Sequence, residues 1–189
     1  MTDRRIKKTE AAIQAAFSKL LSEMSMEEIT VKRLCETADI NKSTFYLHYK
    51  DIYDCADRLR DTILDEVCKV FAPYDFNGII NNFSVILVNI MNVFETNREL
   101  YMPFLKSPSL ASCSCKLKQL LIENVLKRID PDNQDNGGSR CIVSFIIGGI
   151  ISVLEQHDFA EIDHQTICTL ADKVRSEEHT SELQSLRHL

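Results

Sequence analysis

Between Asn41 and Lys50 the chain reads Asn-Lys-Ser-Thr-Phe-Tyr-Leu-His-Tyr-Lys, a short run of hydroxyls, amines, phenols and one imidazole. At helical spacing Phe45, His48 and Tyr49 share one face, and Lys42, Ser43, Thr44, Tyr46 and Leu47 share the other. Phe45 and Tyr49 are expected to be core. The opposite face offers hydrogen-bonding groups and a single apolar tip, chemistry that suits base edges and phosphates in a duplex groove. No comparable set suits catalysis. There is no Gly-rich phosphate loop, no pair of histidines at helical spacing, and no Ser or Cys at a catalytic turn; the five histidines are isolated. The chain is not expected to be an enzyme.

A small element must hold that run in place. Upstream, Val31, Leu34, Cys35 and Ala38 fall at i, i+3, i+4 and i+7, one stripe of a short helix that Thr30 can cap. Asp39, Ile40 and Asn41 form the turn between the helices, with Asn41 as the next cap. Asp39 stands where the chain needs a left-handed residue, which Asp tolerates less well than Gly. Two short helices joined by such a turn make a helix-turn-helix, whose second helix enters a major groove. A first helix from about Arg4 to Met24 supports them through Ile6, Ile13, Phe17, Leu20, Leu21 and Met24. A fourth begins after Asp51, turns Ile52, Cys55, Ala56, Leu59 and Ile63 inward, and runs to about Val70 before Pro73.

The stretch Ile29 to Asp51, and above all its Thr-Phe-Tyr-x-His-aromatic-Lys core at Thr44 to Lys50, resembles the signature of TetR/AcrR-type transcriptional regulators. With the flanking helices the resemblance covers about residues 4 to 65; beyond it only the helical layout is similar. It implies an all-α homodimer: an N-terminal three-helix helix-turn-helix DNA-binding domain and a C-terminal helical domain for ligand binding and dimerisation. Such proteins typically repress until a small molecule releases them. Carried over by position, Thr30 and Lys32 would meet phosphate and a base edge. Lys42, Ser43 and Thr44 would face the groove, Tyr46 and His48 would bond phosphates, and Lys50 would add a further contact. Asn41 and Leu47 complete the expected DNA-facing set. Two positions depart from the pattern: Asp39 replaces the usual Gly, and Ile52 stands where many members carry a basic residue.

Net charge is −6, unusual for a DNA binder until it is divided along the chain. Residues 1–60 carry eleven Lys/Arg against ten Asp/Glu, whereas residues 61–189 carry eleven against eighteen. Arg4, Arg5, Lys7, Lys8, Lys32, Arg33, Lys42 and Lys50 supply a modest phosphate footprint, as suits a dimer gripping two half-sites. The charged start, Met1 to Lys8, is not expected to act as a secretory signal. The most apolar stretch, Cys141 to Leu154, is shorter than the roughly 18 residues of a membrane span. A cytoplasmic protein without membrane partners is expected. Cys35, Cys55, Cys68, Cys141 and Cys168 lie on apolar helix faces, as reduced thiols do. Cys113-x-Cys115 has no second cluster beside it, so neither a metal nor another cofactor is expected.

These readings divide the chain into a DNA-binding domain (1–50, helix-turn-helix about 29–48), a connecting helix (51–72) and a helical regulatory and dimerisation domain (73–174). Helices are expected over 76–94, over 98–105 interrupted by Pro103, to about Ile129, from about Ser139 to Gln156, and from about Asp163. A ligand cavity is expected around Phe83, Leu87, Met91, Tyr101, Phe104 and Leu121. Cys141 to Leu154 is apolar nearly all round, and Ser144, Gly148 and Ser152 make a small-residue seam. With Ile151 they are candidate dimer residues. From Arg175 the apolar pattern stops, and Arg-Ser-Glu-Glu-His-Thr-Ser-Glu-Leu-Gln-Ser reads like one frame of a common sequencing adapter. Residues 175–189 are therefore expected to be a non-native tail. The overall expectation is a ligand-responsive repressor on a palindromic operator. An activator of the same fold, or an adaptor that recruits protein without a small-molecule ligand, are the alternatives.

Overall fold

The computed structural model describes residues 2–129 and 137–156; Cys168 and the expected tail lie outside them. Among the described residues there are nine α-helices and no strand. They are α1 (Thr2–Glu23), α2 (Val31–Thr37), α3 (Lys42–His48), α4 (Ile52–Phe71), α5 (Phe76–Asn81), α6 (Phe83–Thr96), α7 (Arg98–Lys106), α8 (Ala111–Ile129) and α9 (Gly137–Gln156). Single 3-10 turns sit at Met26–Glu28 and Pro108–Leu110.

Seven-residue helices such as α2 and α3 are too short to persist alone, so tertiary packing must hold them. Leu34, Cys35, Phe45 and Tyr49 supply it, joining Ile13, Phe17 and Leu20 of α1 and Ile52, Cys55 and Leu59 of α4 in one core. A fully buried Phe45 contributes about 1.5–3 kcal/mol. The same buried cluster runs on without a break to Leu154, so the N-terminal helices share a core with the rest of the chain. Two packings join them: α1 lies against α7, and α4 lies against α8 and α6.

Several boundaries differ from expectation. Residues 76–94 form two helices, because Asn82 leaves the helical region (φ −115°, ψ 23°) and its side chain donates to the Gly78 carbonyl at 2.8 Å. Conversely, α7 runs through Pro103, which forfeits only the hydrogen bond to the Glu99 carbonyl. Ile6, expected in the buried stripe of α1, is 43% exposed. Cys141 is exposed while Cys35 and Cys55 are buried. At 20 residues α9 is long and apolar enough to cross a membrane by length and composition, contrary to the sequence reading. Nor is it buried all round. Val143, Ile146, Ile147, Ile150, Ile151 and Leu154 face inward toward α8 and α7, while Phe145 is 79% exposed.

Candidate nucleic-acid interface

The turn before α3 is built from both sides. Ile40 N–H donates to the Cys35 carbonyl at 3.0 Å and Asp39 N–H to the Glu36 carbonyl at 3.4 Å, the paired bonds that close a helix through a left-handed residue. Asp39 is that residue, with φ 52°. Thr30 caps α2 by accepting from Arg33 N–H at 3.2 Å. The oxygen of Asn41 does more. Oδ1 accepts from Thr44 N–H at 3.2 Å and from the Ser43 and Thr44 hydroxyls at 2.8 Å each. With their protons directed at Asn41, both hydroxyl oxygens offer lone pairs to an outside donor, such as a base amino group.

Beyond this fork the two faces of α3 separate as the spacing required. Phe45 and Tyr49 are buried, their rings stacked with centroids 5.8 Å apart. Tyr46 is 58% and Leu47 83% exposed, so the latter is a bare apolar tip. Lys42, Ser43 and Lys50 are exposed, as are Arg4, Arg5, Lys7, Lys8, Lys32 and Arg33; Thr44 is half-buried. Lys32 pairs loosely with Glu36 at 3.9 Å on the same helix. Asp51 caps α4 by accepting from Asp54 N–H at 2.8 Å, and Asp54 accepts from Lys50 N–H, fixing the chain where α3 gives way to α4.

His48 is half-buried, and its Nδ1 edge faces Glu10 Oε1 at 3.4 Å instead of open solvent. Arg58 approaches the same oxygen at 3.8 Å and lies over the Tyr49 ring at 4.9 Å. Burial, followed by the nearby Cys55, pushes the Tyr49 hydroxyl up to about 12, so it stays a neutral core group. Two residues escaped the sequence reading. Glu10 carries no local signal, since its role depends on α1 crossing α3 and α4. Tyr53 had one: it falls off the buried stripe of α4, and it is 64% exposed on that helix's first turn.

The residues expected at a ligand cavity are placed differently. Met91, Tyr101, Phe104 and Leu121 are buried side chains in the core, and Phe83 and Leu87 are partly buried against it. None of the six lines the open groove of about 1420 Å³ that runs between α1 and α7, past Gln14, Lys19, Asn97 and Pro103. Of the candidate dimer residues, Ile151 is buried within the subunit. Ser144, Gly148 and Ser152 are half-exposed, and a β-carbon at Gly148 would lie 3.2 Å from Lys118 Cε of α8. The exposed stripe is adjacent: Cys141, Ile142, Phe145, Gly149 and Val153. Cys113 is half-buried and Cys115 exposed, and no group of three or more His, Cys, Asp or Glu among the described residues is placed to hold a metal ion.

The layout as a whole matches that of a solved protein, the TetR family repressor AlkX from Dietzia sp. strain DQ12-45-1b, implicated in biodegradation of n-alkanes. The superposition covers 88% of this chain and 95% of that one, with a TM-score of 0.53. The fold is similar to that of this TetR family repressor. At 15% identity the likeness speaks for the fold and no further. No protein-family model matches the chain, and no curated protein sequence is similar to it. The all-α architecture expected from the sequence is thus present, with a TetR-like arrangement.

Proposed function

We propose that the protein is a DNA-binding transcriptional regulator, which grips a near-palindromic operator as a homodimer and is released by a small molecule. One observation carries this reading: the Asn41 fork holds Ser43 and Thr44 at the start of a helix whose inner face is anchored by Phe45 and whose outer face is bare. Lys42 and the exposed cations around it hold phosphates and set register, while Ser43, Thr44 and the Leu47 tip meet base edges. Tyr46, His48 and Lys50 flank that contact toward the backbone. In this reading residues 1–50 are the DNA-gripping head, 51–72 the connecting helix, and 73–174 the regulatory body.

Two heads would enter successive major grooves about 34–36 Å apart. The second copy docks on the exposed apolar stripe of α9 around Phe145, a patch that a lone subunit would leave wet. An effector that binds better to a splayed arrangement of heads draws the population away from the DNA-competent one.

A gel shift with the DNA upstream of the gene, with and without candidate effectors, tests this. Specific retention by the parent and its loss in the Lys42→Ala, Thr44→Ala double variant, at unchanged helical content, is the expected result. Equal retention by both proteins would overturn the assignment of α3 as the reading element. No specific retention by the parent even at low salt would favour an adaptor instead.

A further inference from the structure

Two consecutive residues of α7 are tied to two different helices. The Leu100 carbonyl accepts a 2.7 Å hydrogen bond from Ser18 Oγ of α1. The Tyr101 hydroxyl donates a 2.7 Å bond to Glu66 Oε2 of α4. Asn97, at the corner where α6 passes into α7, donates to the same carboxylate oxygen at 3.3 Å and to the Val93 carbonyl at 3.0 Å. Ser18 is fully buried and Tyr101 is 1% exposed, while their partners Leu100 and Glu66 are half-buried, so both bonds are partly shielded from water. Beyond the far end of α7, Met26 N–H donates to Ser109 Oγ at 3.0 Å, holding the residues after α1 against those after α7. Burial and the Glu66 bond both raise the Tyr101 hydroxyl above its ordinary range, which keeps it a donor.

We propose that the first turn of α7 is a coupling joint: a displacement of α4 at Glu66 is carried through Tyr101 and Leu100 to Ser18 on α1, and so to the helices that α1 supports. Adjacent residues of one helical turn cannot shift independently, so one tie cannot move without loading the other. The connecting helix then has a second route to the head, across α7, in addition to its own length. The regulatory meaning of this route rests on the DNA-binding reading above, although the coupling itself does not.

Amide hydrogen exchange on the full chain without DNA tests the coupling directly. Tyr101→Phe keeps the ring against Phe94 and deletes only the hydroxyl. It is expected to speed exchange about fivefold in α1 around Ser18 as well as in α4 around Glu66. Ser18→Ala is expected to do the same in α4, from the opposite end. Glu66→Gln retains a carbonyl acceptor for Tyr101 and is expected to exchange like the parent. Changes confined to the two helices each variant directly separates would overturn the joint, as would a Glu66→Gln protein indistinguishable from Tyr101→Phe. Because the two deletions probe the joint from opposite sides, poor folding of one leaves the other decisive. A failure of operator binding would leave these readings untouched.

Discussion

His48 Nδ1 lies 3.4 Å from Glu10 Oε1, which joins the last turn of α3 to α1 across a gap of 38 residues in sequence. Arg58 of α4 reaches the same carboxylate oxygen at 3.8 Å, so one side chain gathers three helices. The site is partly open, and such pairs contribute modestly. Glu10→Ala is therefore expected to lower the free energy of unfolding by about 0.5–1 kcal/mol. Urea unfolding reads this as a lower midpoint at unchanged slope; a midpoint equal to the parent's would show the contact to be energetically silent.

Asn41 serves both fold and recognition. Asn41→Ala removes the cap of α3 and is expected to cost about 0.5–2 kcal/mol of stability. It also frees the Ser43 and Thr44 hydroxyls to rotate. Affinity for a selected operator should fall more than affinity for random duplex DNA, measured at one salt concentration. A uniform loss on both DNAs would assign Asn41 a capping role alone.

Asp39 occupies the left-handed region at φ 52° with its side chain exposed. Glycine adopts that conformation without the steric penalty, though it loses more entropy on folding. Asp39→Gly is expected to stabilise the protein by up to about 1 kcal/mol. Denaturant unfolding checks the sign, and a destabilised variant would mean that the carboxylate contributes something the turn geometry does not display.

Alkali should unfold the protein through its buried phenols and thiols. Burial, then the neighbouring carboxylates Asp54 and Asp51, pushes the Cys55 thiol up to about 12; Tyr49 reaches about 12 as well. A folded-state pKa raised above the unfolded one gives stability that is intact below the unfolded value and is lost as pH rises through the folded one. Stability is thus expected to decline from about pH 8.5–9 as unfolded Cys55 ionises, and more steeply above about pH 10, by about 1.4 kcal/mol per pH unit for each group. Cys55→Ala should lessen the first part of the decline, to which the raised Cys35, Cys68 and Cys113 thiols also contribute, and Tyr49→Phe should soften the second. Thermal melts across pH 7–11 that show a flat profile in the parent would contradict these shifts.

Phe145 is the most exposed large hydrophobic residue of α9. If a second subunit covers it, Phe145→Glu should shift the protein from dimer to monomer by at least about tenfold in dissociation constant, since a buried aromatic anchor carries a large share of an interface. Sedimentation equilibrium reads this directly. A variant that remains as dimeric as the parent would move the subunit contact elsewhere.

Local sequence decided a good deal here. The caps at Thr30, Asn41 and Asp51, the left-handed Asp39, and the inward turn of Phe45 and Tyr49 depend on side chains within four residues of the groups they serve. Periodicity and hydrogen-bonding preference act at that range, and so they could be read directly. The face of α3 presented to solvent followed by subtraction. What remained hidden depends on which helices cross. Periodicity marks Tyr101 and Phe104 as apolar without saying whether they line a cavity or fill a core, and close packing made them core. Likewise Cys141 to Leu154 is apolar on nearly every side, and only the positions of α7 and α8 decided that Phe145 is left outside while Ile151 is not. The Glu10–His48, Ser18–Leu100 and Glu66–Tyr101 contacts join residues 35 or more apart, and no local pattern can announce a partner chosen by the packing of whole helices.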